Sequence, residues 1–405
     1  MNDLSRRDLL RGGGIIALGL VTPKWLSTLA EANVLHQAAG GRLKDTILVV
    51  CQLSGGNDGL NTVVPYRDAT YRSLRPTLAI GESEVLPLND ALGLHQSMKG
   101  MADLYKRNKV AIVQGVGYPS PSRSHFRSMD IWQSASPDLS VPNGWVGRHF
   151  DAMAAGAPLN PVVALGLSSE KPRALNAKEV SIPCFASLAD IETMIGDPDF
   201  DRLMRQMQGT SAAASERLIR DANKTALDAV AELKRKLEGY QVKGQYGSDP
   251  FGTGFRQISH LVHASPETRL VYFSSGGFDT HARQAETHAT LLKNFSDAVK
   301  TFQDELEQTG RDKNVVTLVF SEFGRRAYEN SSGGTDHGAA APMFLIGSSV
   351  KAGLHGPKPN LQNLEQGDLK FDVDFRSVYA TAIDRWLGGD SGKVLGQKFD
   401  SLELL

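Results

Sequence analysis

Thiol chemistry is nearly absent. The chain has 405 residues and two cysteines, Cys51 and Cys184. With no paired C-x-x-C, thiolate metal sites and disulfide scaffolds are excluded. Cys51 lies inside an apolar run and Cys184 follows Pro183, settings that suit small buried hydrophobes, although an oxidising compartment leaves one bridge between them open. Net charge is almost absent too. A formal value of -1 gives no reason to expect nucleic acid or an anionic membrane as partner. Long hydrophobic runs are missing: the stretch from Ile15 to Val21 is too short to cross a bilayer, so no stable membrane span is expected in the mature protein. There is no H-E-x-x-H, and no G-x-G-x-x-G or P-loop follows an apolar run. In "QLSGG" Gln52 stands where the nucleophile elbow G-x-S-x-G needs glycine, which leaves a serine hydrolase built on Ser54 unsupported.

The N-terminus is more informative. "SRRDLLRGGGIIALGLVTPKWLSTLAEA" pairs Arg6 with Arg7, continues into the short apolar stretch and closes on the small-x-small signal Ala30-Glu31-Ala32. It resembles a twin-arginine leader over residues 1–32, against the plainer reading of a basic N-terminal helix. The leader implies a periplasmic or otherwise extracytoplasmic protein, with the twin-arginine translocation machinery as an export partner.

After the leader, 41% hydrophobic and 22% charged residues describe an ordinary globular chain. "DTILVVCQL" (45–53) reads as a buried parallel strand ending in the polar loop "SGGNDG". The runs at 109–117, 160–167, 268–277, 314–324 and 341–348 repeat that form, and helical patterns fall at 97–107, 211–239, 282–309 and 374–387. Strands alternating with helices predict a three-layer α/β fold with a mostly parallel central sheet and helices on both faces. Ligands then belong at the carboxyl ends of the strands. The charged helix at 211–239 and the Gly- and Ser-rich stretch 243–254 read as a helical insertion around 205–255, within a single domain at 33–405.

Several strand ends carry polar residues. The first gives Asn57, Asp58 and Asn61. The second gives Arg123, Ser124 and His125 at the mouth of a helix. A later one gives "GGFDTH", with Asp279 and His281, and the next gives Glu322, Arg325 and Arg326, followed by Asp336 and His337. A parallel sheet brings all of them to one rim, as a hard oxygen and nitrogen ligand set suited to zinc, manganese, magnesium or calcium. Each residue also has a structural role open to it. Asp58 suits an Asx turn, Asp279 the N-cap of 282–309, Glu322 a pair with Arg325 or Arg326, and Ser124 a helix cap. His288 reads as a solvated helix residue. His95, His149, His260, His263 and His355 have no clustered partners.

The leader with "LSGGNDGLNTVVPY", "SRSHFRSMDIWQ", "GGFDTH", "SEFGRR", "GTDHG" and "VDFRSVYATAIDRWLG" resembles the exported domain-of-unknown-function 1501 family, over nearly all the mature chain. That family is similar to the alkaline phosphatase and sulfatase superfamily, an α/β group that binds one or two divalent metals. The resemblance implies an alkaline-phosphatase-like fold and a metal set of Asp58, Asp279, His281, Glu322, Asp336 and His337. It places Phe323 where relatives carry a histidine ligand, and Arg283 where they often carry the histidine that His281 replaces. "PSPSR" puts Pro119 at the sulfatase nucleophile position, which excludes a formylglycine enzyme and leaves Ser124 as nucleophile. His125 is then a general acid or a ligand, and Arg123 and Arg325 hold an anion. Two functions follow: a metal-dependent hydrolase of phosphate or sulfate esters acting on a small anionic ester or glycan-like substrate, or a non-catalytic relative that binds a partner or glycan in the cell envelope.

Overall fold

The computed structural model describes residues 45–138, 140–155, 159–160, 162–189 and 235–405. The leader and the expected helix up to residue 234 lie outside the described residues.

Apolar β-branched runs form the sheet. Its strands are β1 (Ile47–Leu53), β5 (Val110–Gly117), β6 (Ala164–Leu167), β7 (Cys184–Phe185), β8 (Leu270–Ser275), β9 (Val315–Phe320), β10 (Ala341–Ile346), β11 (Gly353–His355) and β12 (Val373–Asp374). They form one nine-stranded sheet in the order β11-β5-β10-β9-β1-β8-β6-β7, with β12 also paired to β5. Central β1 pairs parallel with β8 and β9, in register Val49↔Val271 and Val49↔Thr317. Successive β1 residues serve opposite faces: Ile47, Val49, Cys51 and Leu53 join one buried cluster, while Leu48 and Val50 join the other. Burial on both faces is why the run is apolar throughout rather than alternating.

Among the described residues the α-helices, in chain order, are α1 (Ala69–Leu74), α2 (Lys99–Lys106), α3 (His125–Ser134), α4 (Trp145–Ala154), α5 (Pro250–Ala264), α6 (Gln284–Thr309), α7 (Phe375–Thr381) and α8 (Ser391–Leu395). Side chains of α2, α5 and α6 pack on one face of the sheet and those of α3, α4, α7 and α8 on the other. The α/β architecture, a mostly parallel sheet flanked by helices, is therefore as the strand and helix alternation requires. In α6, Leu292, Phe295, Val299, Phe302 and Leu306 recur at helical spacing and are buried, and Gly310 ends the helix with φ 71°, a left-handed closure that favours glycine.

Three features depart from the sequence reading. β10 runs antiparallel to both β5 and β9, so its first residue, not its last, lies at the rim where the parallel strands end. The Gly- and Ser-rich stretch that reads as part of an insertion ends in α5, capped by Asp249 with Pro250 in its first turn, and Phe251 and Phe255 are buried in the core. A small antiparallel sheet, β2 (Val63–Val64), β3 (Val85–Pro87) and β4 (Gly93–His95), follows the first polar loop. Its strands are too short to leave a periodic pattern. Cys51 and Cys184 are both free, on strands separated by β8 and β6. Among the described residues no helix is long and apolar enough to cross a membrane.

Candidate metal centre

The loops after β1, β5, β8 and β9 share one rim because those strands are parallel. His337 reaches the same rim because β10 starts there. Gly55 and Gly56 let the first loop pass beneath the others: both have positive φ, and a Cβ on Gly55 would lie 2.5 Å from the Asp279 backbone nitrogen.

Imidazoles of three different segments meet over Asp279. His281 Nε2, His337 Nε2 and His125 Nε2 lie 3.0, 3.1 and 3.3 Å from Asp279 Oδ1. The opposite ring nitrogens are all occupied. His125 Nδ1 is 2.8 Å from Glu322 Oε1, His281 Nδ1 is 3.2 Å from Asp336 Oδ1, and His337 Nδ1 is 2.7 Å from the Arg123 carbonyl. Carboxylate and carbonyl oxygens only accept, so each neutral ring carries its proton on Nδ1 and turns the Nε2 lone pair inward. Two of those nitrogens, on His281 and His337, stand only 2.8 Å apart. His125 Nε2 is buried without a hydrogen-bond partner. Lone pairs aimed at one another and at a carboxylate repel unless a cation or a proton lies among them.

The residues therefore fit a divalent metal. His125, Asp279 and His337 each offer a ligand atom within 4.8 Å of the others, and His281 adjoins two of them. Nitrogen with carboxylate oxygen suits zinc and its first-row neighbours. The oxygens behind the rings are the outer partners that fix tautomer and orientation in such sites. Electrostatics point the same way. Hydrogen bonding to Glu322 raises the His125 pKa against the opposing effect of burial, with the Glu322 and Asp279 charges adding to the rise. Burial pushes the Asp279 carboxyl up, but the hydrogen bond and charge of the Arg325 guanidinium, with the neighbouring His337 and His125 adding to them, outweigh it and hold the carboxyl well below the ordinary range. Burial lowers His337.

The remaining site residues fall elsewhere. Glu322 is fully buried and pairs with neither arginine; its Oε1 accepts from Gly55 N at 2.8 Å as well as facing His125. Asp279 does not cap α6, whose N-cap is Arg283 in a left-handed conformation. Arg325 is withdrawn from any anion, because its buried guanidinium donates to the carbonyls of Gly55, Gly56, Phe278 and Thr335 and to Asp279 Oδ1. It ties the rim loops together. Arg123 is half-buried and bonded to Asp368 Oδ2 through Nε at 2.8 Å and Nη2 at 2.5 Å. Ser124 is the N-cap of α3, is exposed, and makes no side-chain cap bond. Phe323 is buried with its ring centroid 4.8 Å from His125 and 4.7 Å from His337, so it wedges the two rings in place.

Asp58 stands apart from the histidines. Its Oδ2 accepts from Arg75 Nη1 at 2.6 Å and Gln284 Nε2 at 2.5 Å, and its Oδ1 caps the turn at Asn61 N. His288, expected in solvent, is buried, bonded to Asn57 Oδ1 at 2.9 Å, and pushed down to a pKa of about 4 by burial. Arg75, Gln284 and Asp368 carry no motif that marks them in the sequence. Only their positions in the fold reveal them.

The family model described as "Protein of unknown function (DUF1501)" matches residues 44–396. The chain belongs to the DUF1501 family. No curated protein matches it. Among solved structures, this DUF1501 chain is similar to the PsFucS1 sulfatase from Pseudoalteromonas sp., at 9% identity and a TM-score of 0.38 over 93% of this chain and 74% of that one. It is also similar to the alkaline phosphatase from the Antarctic bacterium TAB5, at 11% identity and a TM-score of 0.33 over 75% and 92%. A third is the zinc complex of the C-terminal periplasmic domain of EcEptC from Escherichia coli, at 9% identity and a TM-score of 0.35 over 75% and 73%.

Proposed function

We propose that this DUF1501 protein is an exported, metal-dependent hydrolase of phosphate or sulfate esters, with Asp279, His125, His281 and His337 as the metal ligands. The observation that carries the reading is the set of Nε2 lone pairs converging on Asp279 Oδ1 at 3.0–3.3 Å. When bound, a divalent metal supplies Lewis acidity toward an ester oxygen. The chain's own residues do the rest. Glu322 holds His125 with its proton on Nδ1, the Arg123 carbonyl does the same for His337, and Asp336 for His281. Arg325 draws charge from Asp279 and fixes the loops. Ser124, beside His125 at the start of α3, offers a free hydroxyl as nucleophile where the helix N-terminus favours negative charge. Arg123 precedes that serine in the chain, with its guanidinium bonded to Asp368.

The test is to incubate metal-loaded full-length protein with a panel of phosphate and sulfate esters. Turnover lost in Asp279→Ala and His337→Ala is the expected outcome; no turnover above those variants refutes hydrolysis and leaves a metal-holding envelope protein that binds a partner or glycan. Export rests on the N-terminal leader pattern that Arg6-Arg7 opens. Changing both to lysine is expected to leave precursor in the cytoplasm, and unchanged periplasmic yield contradicts it.

A further inference from the structure

Among the described residues two clusters at the rim demand a cation, and one of the two is open. Around Asp58 the demand is met from within. Arg75 Nη1 donates to Asp58 Oδ2 at 2.6 Å and to Asn61 Oδ1 at 2.7 Å, Nε to the Ala327 carbonyl at 3.0 Å, and Nη2 to the Arg326 carbonyl at 2.8 Å. Both charged side chains are 0% exposed. A carboxylate, an amide oxygen and two carbonyls thus surround the guanidinium as hard ligands surround a metal ion. Tyr71 and Gln284 complete the shell with bonds to Asn61 Oδ1 and Asp58 Oδ2 at 2.7 and 2.5 Å.

A second observation separates this cluster from the histidines. Phe323 packs against His125 and His337, and its ring fills the space over Gly56, where a Cβ would come within 2.2 Å of it. An apolar ring therefore stands beside the loop that carries Asp58. For an ion to reach Asp58, Arg75 would have to leave, stranding its own charge and the Arg326 and Ala327 carbonyls.

We infer that the chain holds one divalent metal, at the Asp279 cluster, and that the Arg75 guanidinium is a built-in replacement for a second. The inference rests on the metal centre proposed above, and its failure is distinguishable from failure of that centre.

The decisive measurement is metal content of the zinc-saturated full-length protein by elemental analysis and native mass spectrometry. One equivalent is expected. Two equivalents overturn the replacement while leaving the centre intact; none overturns both. Asp58→Asn is expected to keep its one equivalent, and loss of that ion from folded Asp58→Asn shows Asp58 to be a ligand and overturns the inference. Arg75→Ala opens the oxygen shell. It is expected to take up an additional equivalent of calcium or manganese and to melt at a higher temperature with that ion than without it. The Arg75→Ala, Asp58→Asn double variant is expected to show neither change. A folded Arg75→Ala that gains no ion and no thermal shift refutes the replacement. Where Arg75→Ala does not fold, the wild-type and Asp58→Asn stoichiometries decide alone.

Discussion

The two carboxylates Asp58 and Asp279 end parallel strands of the same sheet, yet their surroundings are opposite. Asp58 is sealed from the surface, with its counter-charge supplied by Arg75 and a further hydrogen bond from Gln284. Asp279 is half-exposed and faces three imidazoles, of which His125 has an Nε2 without a hydrogen-bond partner while those of His281 and His337 crowd each other. The closed cluster behaves as structure, because a buried ion pair that keeps both members is self-sufficient, and removing one member strands the other. The open cluster behaves as a site, because its charge balance is left for something to complete. A carboxylate at a strand end is thus not by itself a sign of chemistry; what decides is whether the fold has already supplied its cation.

Breaking the closed side should have the largest effect. Arg75→Met leaves Asp58 buried and unpaired, and is expected to cost roughly 3–5 kcal/mol of stability, read from urea melts; a loss within experimental error would show that water reaches Asp58. On the open side, Glu322→Gln keeps an acceptor for Gly55 N but removes the charge behind His125. Metal affinity is expected to fall by about 10–100-fold with little change in melting temperature of the metal-free protein. Equal affinity would mean that Glu322 does not orient a ligand.

A third kind of buried polar group adds acid sensitivity of its own. His149 has no hydrogen-bond partner for either nitrogen among the described residues, and burial lowers its pKa from 6.5 to about 4. Between those values the unfolded chain binds a proton that the folded chain refuses. Its contribution is therefore intact above pH 6.5 and is lost as pH falls toward 4, with a slope of at most about 1.4 kcal/mol per pH unit. His149→Leu is expected to lower the slope in that window to the share left by His288, which burial also pushes down to about 4, and an unchanged profile would assign the acid limb to His288 and other groups. The smallest effect belongs to Phe126, next to His125 but 84% exposed. Phe126→Ala is expected to alter stability by less than about 0.5 kcal/mol; a larger loss would place its ring in packing.

Much of the fold was legible because burial on both sheet faces writes itself as uninterrupted apolar runs. The long helix 282–309 was legible for the complementary reason, a buried stripe at helical spacing. The direction of β10 was not, since an apolar run carries no arrow. Within the site, Asp279, His281, Glu322, Asp336 and His337 stood out as polar residues beside glycines at strand ends, and His125 by its place at a helix mouth. Their division of labour was hidden. Which of them turn toward the centre and which stand behind depends on ring orientation, and that is set by partners such as the Arg123 carbonyl that any residue type provides. Arg75 lay in an unremarkable helix end, so the neutralisation of Asp58 could only be seen in three dimensions. Arg325 looked like an anion holder because sequence shows charge but not whether the donors are spent.

The reversed strand β10 has a consequence for how this centre can change. Because it leaves from the rim at which β9 arrives, the stretch 321–340 departs and returns without crossing the sheet. It brings Glu322, Phe323, Arg325, Asp336 and His337 as one continuous cartridge. Exchange of that cartridge between relatives would replace one ligand, the carboxylates behind two others and the wedge beside them in a single event, while the scaffold of parallel strands beneath stayed as it was.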